Sequence, residues 1–584
     1  MISSLELENF KGIAARQRID FAPLTLLFGA NSAGKSTVLQ ALLYLHELLE
    51  RGDADVDRTE LGGNVVELGG FGRLVHKHEG NRAIVLRAEF STPKGLELFG
   101  RDLTDFPFPD LDDQVESAWL ELTIRNRMTP AFSGPLIERV VIGVGGTADP
   151  LVELRTGATL REGEALTVGV NIGHPLLAAV IGAIDEFDQP VTNAAQELID
   201  EWEQIAFSKE ILKVLHETQG GDTEQGPAAL RWMSGWEFAD GSSWMVFGVS
   251  RSHFSALPPL GEPLRVVAFN EPNDLVEDAD WQARTRGRGY ADAFQATLNK
   301  LSARDRSVNQ VRTFLEMVVL GTTAQLAASL SDALYIGPLR TVPPPGLLFE
   351  EEGGVYRSPL QSLALARTKR SFSWADGLAA WGLLLRDRST LVERTNDWLT
   401  RLGANCQVVV HELADMTAIE NDLPKGHVEE SVRRLLLDTA GSWVLPSEVG
   451  AGISQVVPVV VAALEGRAGL TLIEQPEIHI HPAMQVGLGD LFIEASARDG
   501  GRRTMLVETH SEHLILRLLR RIRETTSEEL PEGAPAFSPD KLSVLYVENG
   551  SDGVQIRRLR VDESGEFTDR WPTGFFEERA QELF

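Results

Sequence analysis

Leu24-Thr25-Leu26-Leu27-Phe28 runs into Gly29-Ala30-Asn31-Ser32-Ala33-Gly34-Lys35-Ser36, and then through Thr37 into Val38-Leu39-Gln40-Ala41-Leu42-Leu43-Tyr44-Leu45. The first stretch reads as a buried strand, and the apolar positions of the last recur at helical spacing. Between them the octet fits G-x-x-x-x-G-K-[ST], in the strand-loop-helix context that a phosphate loop requires. Glycines let backbone N–H groups wrap anionic oxygens, a lysine neutralises them, and a serine hydroxyl at the helix start faces Mg²⁺. The stretch therefore predicts ATP and Mg²⁺ as ligands, with Gly29, Asn31, Ser32, Ala33, Gly34, Lys35, Ser36 and Thr37 holding the nucleotide and Ser36 the metal.

Such a loop needs a carboxylate at a nearby strand end to orient the metal. Far downstream, Leu470-Thr471-Leu472-Ile473 leads into Glu474-Gln475-Pro476-Glu477, which puts Glu474 in the metal-orienting position. The following His479 and His481 have no third ligand evident nearby, so a loop that contacts a dimer partner suits them better than a metal site. Just ahead of this strand, Glu448-Val449-Gly450-Ala451-Gly452-Ile453-Ser454-Gln455 opens an apolar helix over 456–464, with Pro458 expected in its first turn. Ser454 fits either a helix cap or an anion site, and its place before the Glu474 strand favours the anion. Beyond, Thr504-Met505-Leu506-Val507-Glu508 reads as another buried strand ending at Thr509-His510-Ser511, with a helix from Glu512 to Arg523. His510 then sits at a strand end beside the expected γ-phosphate, placed to sense it.

The rest of the composition bounds the answer. At 584 residues the chain exceeds one usual core, so two or three domains are expected. Against 85 acidic side chains there are 55 basic ones, a net charge of −30, so any nucleic-acid surface must be local. Its candidates are Arg517, Arg520, Arg521 and Arg523, and the stretch around Arg284, Arg286 and Arg288. A single cysteine, Cys406, excludes an intramolecular disulfide. The N-terminus lacks a basic region before an apolar core, and the apolar runs are too short to span a bilayer, so a cytoplasmic protein without membrane association is expected.

Residues 1–100 and 331–584 carry the regular strand and helix signals. The expectation is an α/β head assembled from both chain ends around a mixed α/β insertion at 101–330. That insertion contains a turn-rich segment at Gly220-Gly221-Asp222-Thr223 and shows no heptads of a long coiled-coil arm.

The phosphate loop, the Gly450 to Gln455 turn, the Glu474-to-Pro482 segment and His510, in this order, resemble the ABC/SMC/RecF-like ATPase heads. More narrowly they resemble the bacterial AAA ATPases of the OLD-like group found in anti-phage defence. Tyr335-Ile336-Gly337-Pro338-Leu339-Arg340 and Trp571-Pro572-Thr573-Gly574-Phe575-Phe576 are similar to one subfamily of these proteins. The resemblance implies an ABC-type P-loop fold and two ATPs sandwiched between two subunits. Gly452, Ser454 and Gln455 of one subunit would then face the nucleotide held by Lys35 of the other, which makes the protein a homodimer or larger oligomer.

The family's catalytic glutamate normally follows the metal-orienting acid, and here that place holds Gln475. A glutamine positions water but cannot act as a carboxylate base, so slow hydrolysis is expected, with Glu477 and Glu508 as the available acids. Gln475, Glu477 and His510 form the expected catalytic set. Two functions share this head: a regulatory ATPase of phage defence that controls a neighbour-encoded nuclease or toxin, and a RecF-type ATPase of DNA maintenance. Leu542-Ser543-Val544-Leu545-Tyr546-Val547 resembles the strand that carries a toprim acid, but no D-x-D pair follows.

Overall fold

The computed structural model describes residues 1–30, 33–59, 66–92, 115–129, 132–156, 166–171, 174–176, 244–250, 255–258, 265–267, 317–331, 333–343, 348–349, 374–387, 390–413, 432–465, 469–498 and 503–570. Asn31, Ser32, the Gly220–Thr223 turn, the Arg284–Arg288 stretch and the Trp571–Phe576 segment lie outside the described residues. The chain forms two units: the first joins residues 1–46, 56–77 and 329–584, and the second joins 47–55 and 78–328. The N-terminal part of the first unit therefore ends at Lys77, short of the residue-100 boundary expected from the sequence.

The first unit opens with β1 (Ile2–Glu8), which pairs antiparallel with β2 (Gln17–Asp20). Then come β3 (Leu24–Gly29) and the helix α1 (Ser36–Arg51), whose C-terminal residues belong to the second unit. A short ribbon of β4 (Arg58–Thr59) and β5 (Val66–Glu67) and one helical turn, α2 (Phe71–Leu74), complete its N-terminal part.

The second unit is an antiparallel meander of β6 (Ile84–Ser91), β7 (Ser117–Met128), β8 (Ser133–Val144), β9 (Val152–Arg155), β10 (Leu166–Asn171), β11 (Trp244–Ser250) and β12 (Arg265–Val267). Burial alternates along β6, the period of a strand with one covered face. Arg139 on β8 pairs with Glu153 on β9 at 2.6 Å and with Glu121 on β7 at 3.4 Å, a charge ladder across three strands. A π-turn at Met317–Gly321 leads into α3 (Thr322–Ser331) at the unit's C-terminal limit.

The first unit resumes with β13 (Leu334–Ile336), β14 (Leu348–Phe349), α4 (Leu378–Arg386), α5 (Leu391–Arg401), β15 (Gln407–Leu413), β16 (Val432–Thr439) and β17 (Ser442–Val444). It continues through α6 (Ala451–Leu464), β18 (Leu470–Glu474), α7 (Pro482–Ser496), β19 (Thr504–Glu508), α8 (Glu512–Thr526), β20 (Leu542–Gly550) and β21 (Gly553–Leu559).

Its central sheet has the order β13-β18-β19-β3-β20-β21, parallel except for β21. Strands β3, β18 and β19 are buried along their whole length, as their near-continuous apolar runs require when both faces are covered. The toprim-like strand is β20, which lies beside the phosphate-loop strand as part of this same sheet. Leu26 and Phe28 from β3, Trp381 from α4, the Val456–Leu464 stretch of α6, Phe492 from α7 and Leu518 from α8 share one core.

An apolar surface all round makes α6 a buried helix from Ser454 onward. It starts at Ala451, so Pro458 is its eighth residue and not part of its first turn. The α/β head built from both chain ends, without a coiled coil among the described residues, is the architecture the sequence predicts.

Candidate nucleotide site

Parallel strands whose helices cover both faces leave their carboxyl ends at one edge of the sheet, where ligands bind in open α/β folds. Three such ends converge here. Register places Glu474 at the end of β18 opposite Glu508 at the end of β19, and pairs Glu508 with Leu27 of β3, two residues before the loop. The acid adjacent to the phosphate-loop strand is therefore Glu508, while Glu474 lies one strand further out.

Gly34 has φ +95, a backbone state that side chains rarely adopt, and an added Cβ would stand 2.9 Å from Val554. This glycine lets the chain turn from β3 into α1, whose first residue is Ser36. The Lys35 ammonium is buried and folds back on its own loop, donating to the carbonyls of Ala30 at 2.8 Å and Gly29 at 3.2 Å. It also lies 4.0 Å from Glu508 Oε1. Burial lowers its pKa while Glu508, Glu477 and Glu474 oppose the shift.

Ser36 Oγ lies 2.6 Å from Glu508 Oε2 and 3.4 Å from Glu474 Oε2. The remaining Glu474 oxygen accepts from the Tyr335 hydroxyl at 2.8 Å. Burial, with the neighbouring Glu508 charge, pushes Glu474 up to about 7. Burial, with the adjoining Glu474, raises the Tyr335 phenol, so it stays a donor. Two carboxylates and a hydroxyl, all hard oxygen donors, fit Mg²⁺, and the lysine and the helix start fit phosphate groups. Bound Mg²⁺ would neutralise charge on the transferring phosphoryl group.

Gln475 takes a left-handed conformation with φ +44, held by its N–H donating to the Glu508 carbonyl at 2.7 Å. Its side-chain Nε2 reaches Glu508 Oε1 at 3.5 Å, which keeps the amide at the carboxylate cluster. Glu477 is differently engaged. Its two oxygens accept from Thr509 Oγ1 at 2.7 Å and from the His510 N–H at 2.6 Å, so it pins the turn that carries His510. Burial pushes its carboxyl upward. The His510 Nε2 is buried and has no partner among the described residues. Burial and the Lys35 charge lower this imidazole's pKa, leaving it neutral and free to hydrogen-bond an incoming oxygen.

The Gly450–Gln455 turn makes these contacts within its own chain. Ser454 is 1% exposed, and its hydroxyl donates to the Ala451 carbonyl at 2.9 Å inside the first turn of α6. Gln455 is likewise internal: its amide oxygen accepts from the Arg340 N–H at 3.3 Å and its Nε2 donates to the Arg340 carbonyl at 2.7 Å. Gly452 packs on the Glu477–His481 loop, where an added Cβ would meet the His479 carbonyl at 2.8 Å. Gly450 and Ala451 are the exposed part of the turn.

Sequence reading passed over two residues at this site. Tyr335 orients Glu474 as described. Arg340, 5% exposed, donates through Nη2 to the carbonyls of Glu474 at 2.6 Å and Gln475 at 3.2 Å. Its Nε and Nη1 have no partner among the described residues, and burial lowers the guanidinium to about 10. Both belong to the Tyr335–Arg340 segment already singled out by resemblance, which was the available signal.

Two other stretches also make contacts within the chain. On α8, Arg521 pairs with Asp490 at 2.7 Å and Glu524 at 2.5 Å, Arg517 with Asp490 at 3.2 Å, and Arg520 with Glu524 at 2.6 Å. Arg523 donates to the Ser564 carbonyl at 3.0 Å. Arg517 and Arg521 are thus engaged across helices, while Arg520 pairs along its own helix with its side chain 60% exposed. His481 caps α7, accepting from the Ala483 N–H at 3.2 Å, and no group of three or more His, Cys, Asp or Glu side chains placed to hold a metal ion occurs among the described residues. No helix among those residues is long and apolar enough to cross a membrane.

Residues 1–93 match the family described as "AAA ATPase domain", and residues 359–517 match "AAA domain, putative AbiEii toxin, Type IV TA system". The first stretch contains the phosphate loop, and the second contains the Gly450 turn, Glu474, Glu477, Glu508 and His510. The chain thus carries AAA-type ATPase domain sequence at both halves of the site. No curated protein matches the chain. Among solved structures, the Smc head domain from Pyrococcus furiosus bound to the C-terminal domain of ScpA aligns with TM-score 0.33 and 10% identity, over 100% of this chain and 98% of that one. The SMC head domain from Thermotoga maritima aligns with TM-score 0.33 and 8% identity, over 96% and 99%.

Proposed function

We propose that this protein is a slowly hydrolysing Mg·ATPase that serves as the sensor or regulatory scaffold of a bacterial anti-phage defence system and controls a partner nuclease or toxin. The observation that carries the ATPase reading is the convergence of Lys35, Ser36, Glu474 and Glu508 at one edge of the sheet. ATP and Mg²⁺ are its ligands, Gln475 holds the attacking water, and His510 meets the γ-phosphate. Slow turnover follows because Gln475 cannot take a proton as a carboxylate would and Glu477 is spent on Thr509 and His510.

Slow turnover suits a timer: ATP holds an associated state, and hydrolysis ends it. Self-association would use the exposed Gly450–Ala451 start of α6, with ATP in the interface. The defence role is supported by the resemblance to OLD-like ATPases and by the toxin-system wording attached to the family matched at 359–517. The engagement of the α8 arginines within the fold weighs against a RecF-type DNA clamp on that helix.

The test is mass determination of the natively purified protein with and without ATP and Mg²⁺, alongside pull-down of products of adjacent genes. A discrete oligomer retaining a neighbour-encoded nuclease or toxin supports the proposal. An ATP-dependent dimer that captures only DNA overturns the defence role in favour of DNA maintenance.

A further inference from the structure

We propose that Glu508 is a magnesium-holding residue of the phosphate loop, sharing the metal with Glu474 and Ser36. This rests on the Mg·ATP reading above and adds to it a second acid from the strand that intervenes between β18 and β3.

A magnesium ion demands near-octahedral oxygen ligands at about 2.1 Å, so adjacent ligand oxygens stand roughly 3.0 Å apart. The Ser36 hydroxyl oxygen is 2.6 Å from Glu508 Oε2 and 3.4 Å from Glu474 Oε2, distances that bracket that edge on both sides. A cation seated on Ser36 is therefore within reach of both carboxylates after shifts of a few tenths of an ångström.

Ser36 has one proton to donate, and the shorter contact gives it to Glu508. The free oxygen of Glu474 is already taken by Tyr335 at 2.8 Å. Glu508 is the acid nearer the loop in the sheet order, is 3% exposed, and has Lys35 beside its other oxygen at 4.0 Å. Glu474 and Glu508 face one another on adjacent strands, and a cation held between them offsets their mutual repulsion. Glu477, the other acid here, turns both its oxygens to the Thr509–His510 turn.

The test is Mn²⁺ binding read by electron paramagnetic resonance on the full chain saturated with a non-hydrolysable ATP analogue, with nucleotide affinity in EDTA measured in parallel. Wild type binds one Mn²⁺ per nucleotide, and Glu508→Gln and Glu474→Gln each weaken Mn²⁺ tenfold or more while metal-free nucleotide binding persists. Glu508→Asp, which keeps the charge with a shorter reach, recovers part of the loss and carries the test if Glu508→Gln does not fold. Unchanged Mn²⁺ affinity in Glu508→Gln, or in Glu508→Asp where that variant carries the test, with loss in Glu474→Gln, overturns the Glu508 assignment alone. Absence of Mn²⁺ binding in wild type overturns the Mg·ATP reading itself.

Discussion

The Ser36 hydroxyl and the Glu508 carboxylate meet at 2.6 Å across 472 positions of chain. The contact exists because β19 lies beside β3 in the sheet, so the two strand ends that open the phosphate loop and the His510 turn are neighbours. It joins the part of the site built from the N-terminal residues to the part built from the C-terminal ones.

Lys35→Ala removes the only lysine next to Glu508 among the described residues. Charge-assisted contacts to phosphate of this kind are worth about 1.5–3 kcal/mol, so ATP affinity falls about 10- to 100-fold in a nucleotide titration. Undiminished affinity would mean that the nucleotide binds elsewhere.

Metal binding depends on pH in a fixed direction. The folded-state pKa of Glu474, about 7, lies above its ordinary 4.5. In the metal-free protein its contribution to stability is fully present below about pH 4.5 and is lost as pH rises through about 7. Mg²⁺ must displace that proton, so its affinity for the ATP-bound protein climbs by up to about tenfold per pH unit below 7 and levels above it. Glu474→Gln flattens the profile, and a flat profile in wild type contradicts the placement of this acid.

Gln475→Glu supplies a carboxylate base where the family has one. General-base contributions of about 10²-fold or more are ordinary, and the crowded carboxylates beside Glu508 cut that gain, so turnover rises at least about tenfold. Gln475→Ala and Glu477→Ala both drop hydrolysis further. Fast basal hydrolysis that survives both changes would sink the slow-timer idea.

Arg340 and Gln455 form a clamp between the start of α6 and the end of β18. Arg340→Lys loses the fork that reaches two carbonyls at once, and we expect kcat to fall about tenfold with ATP affinity unchanged, together with about 1–3 kcal/mol of stability. Gln455→Ala on top of it adds little, because both act on one network. Additive losses in thermal melts would show the two residues to be independent.

The sequence made the chemistry of the loop legible and left its supports hidden. Gly29, Ser36, Glu474 and His510 stand at strand ends and helix starts, where local pattern and motif coincide. Tyr335 and Arg340 do their work on partners 139 and 134 positions away, which no local period reveals.

Ser454 was legible as a helix-start serine, and its hydroxyl donates to the Ala451 carbonyl in the first turn of α6. The partner of Arg517 and Arg521 was not legible in sequence because Asp490 sits on a different helix. The Pro458 expectation failed because the helix begins at Ala451, earlier than its apolar run.

Phosphate release by the purified full chain at saturating ATP and Mg²⁺, with Lys35→Ala as the blank, tests the ATPase reading most directly. The predicted result is Lys35-dependent hydrolysis slower than about 0.1 per second, well under the roughly 10 per second of a typical enzyme. Release no faster than the Lys35→Ala blank would remove the ATPase, and turnover near 10 per second would remove the slow, Gln475-limited mechanism.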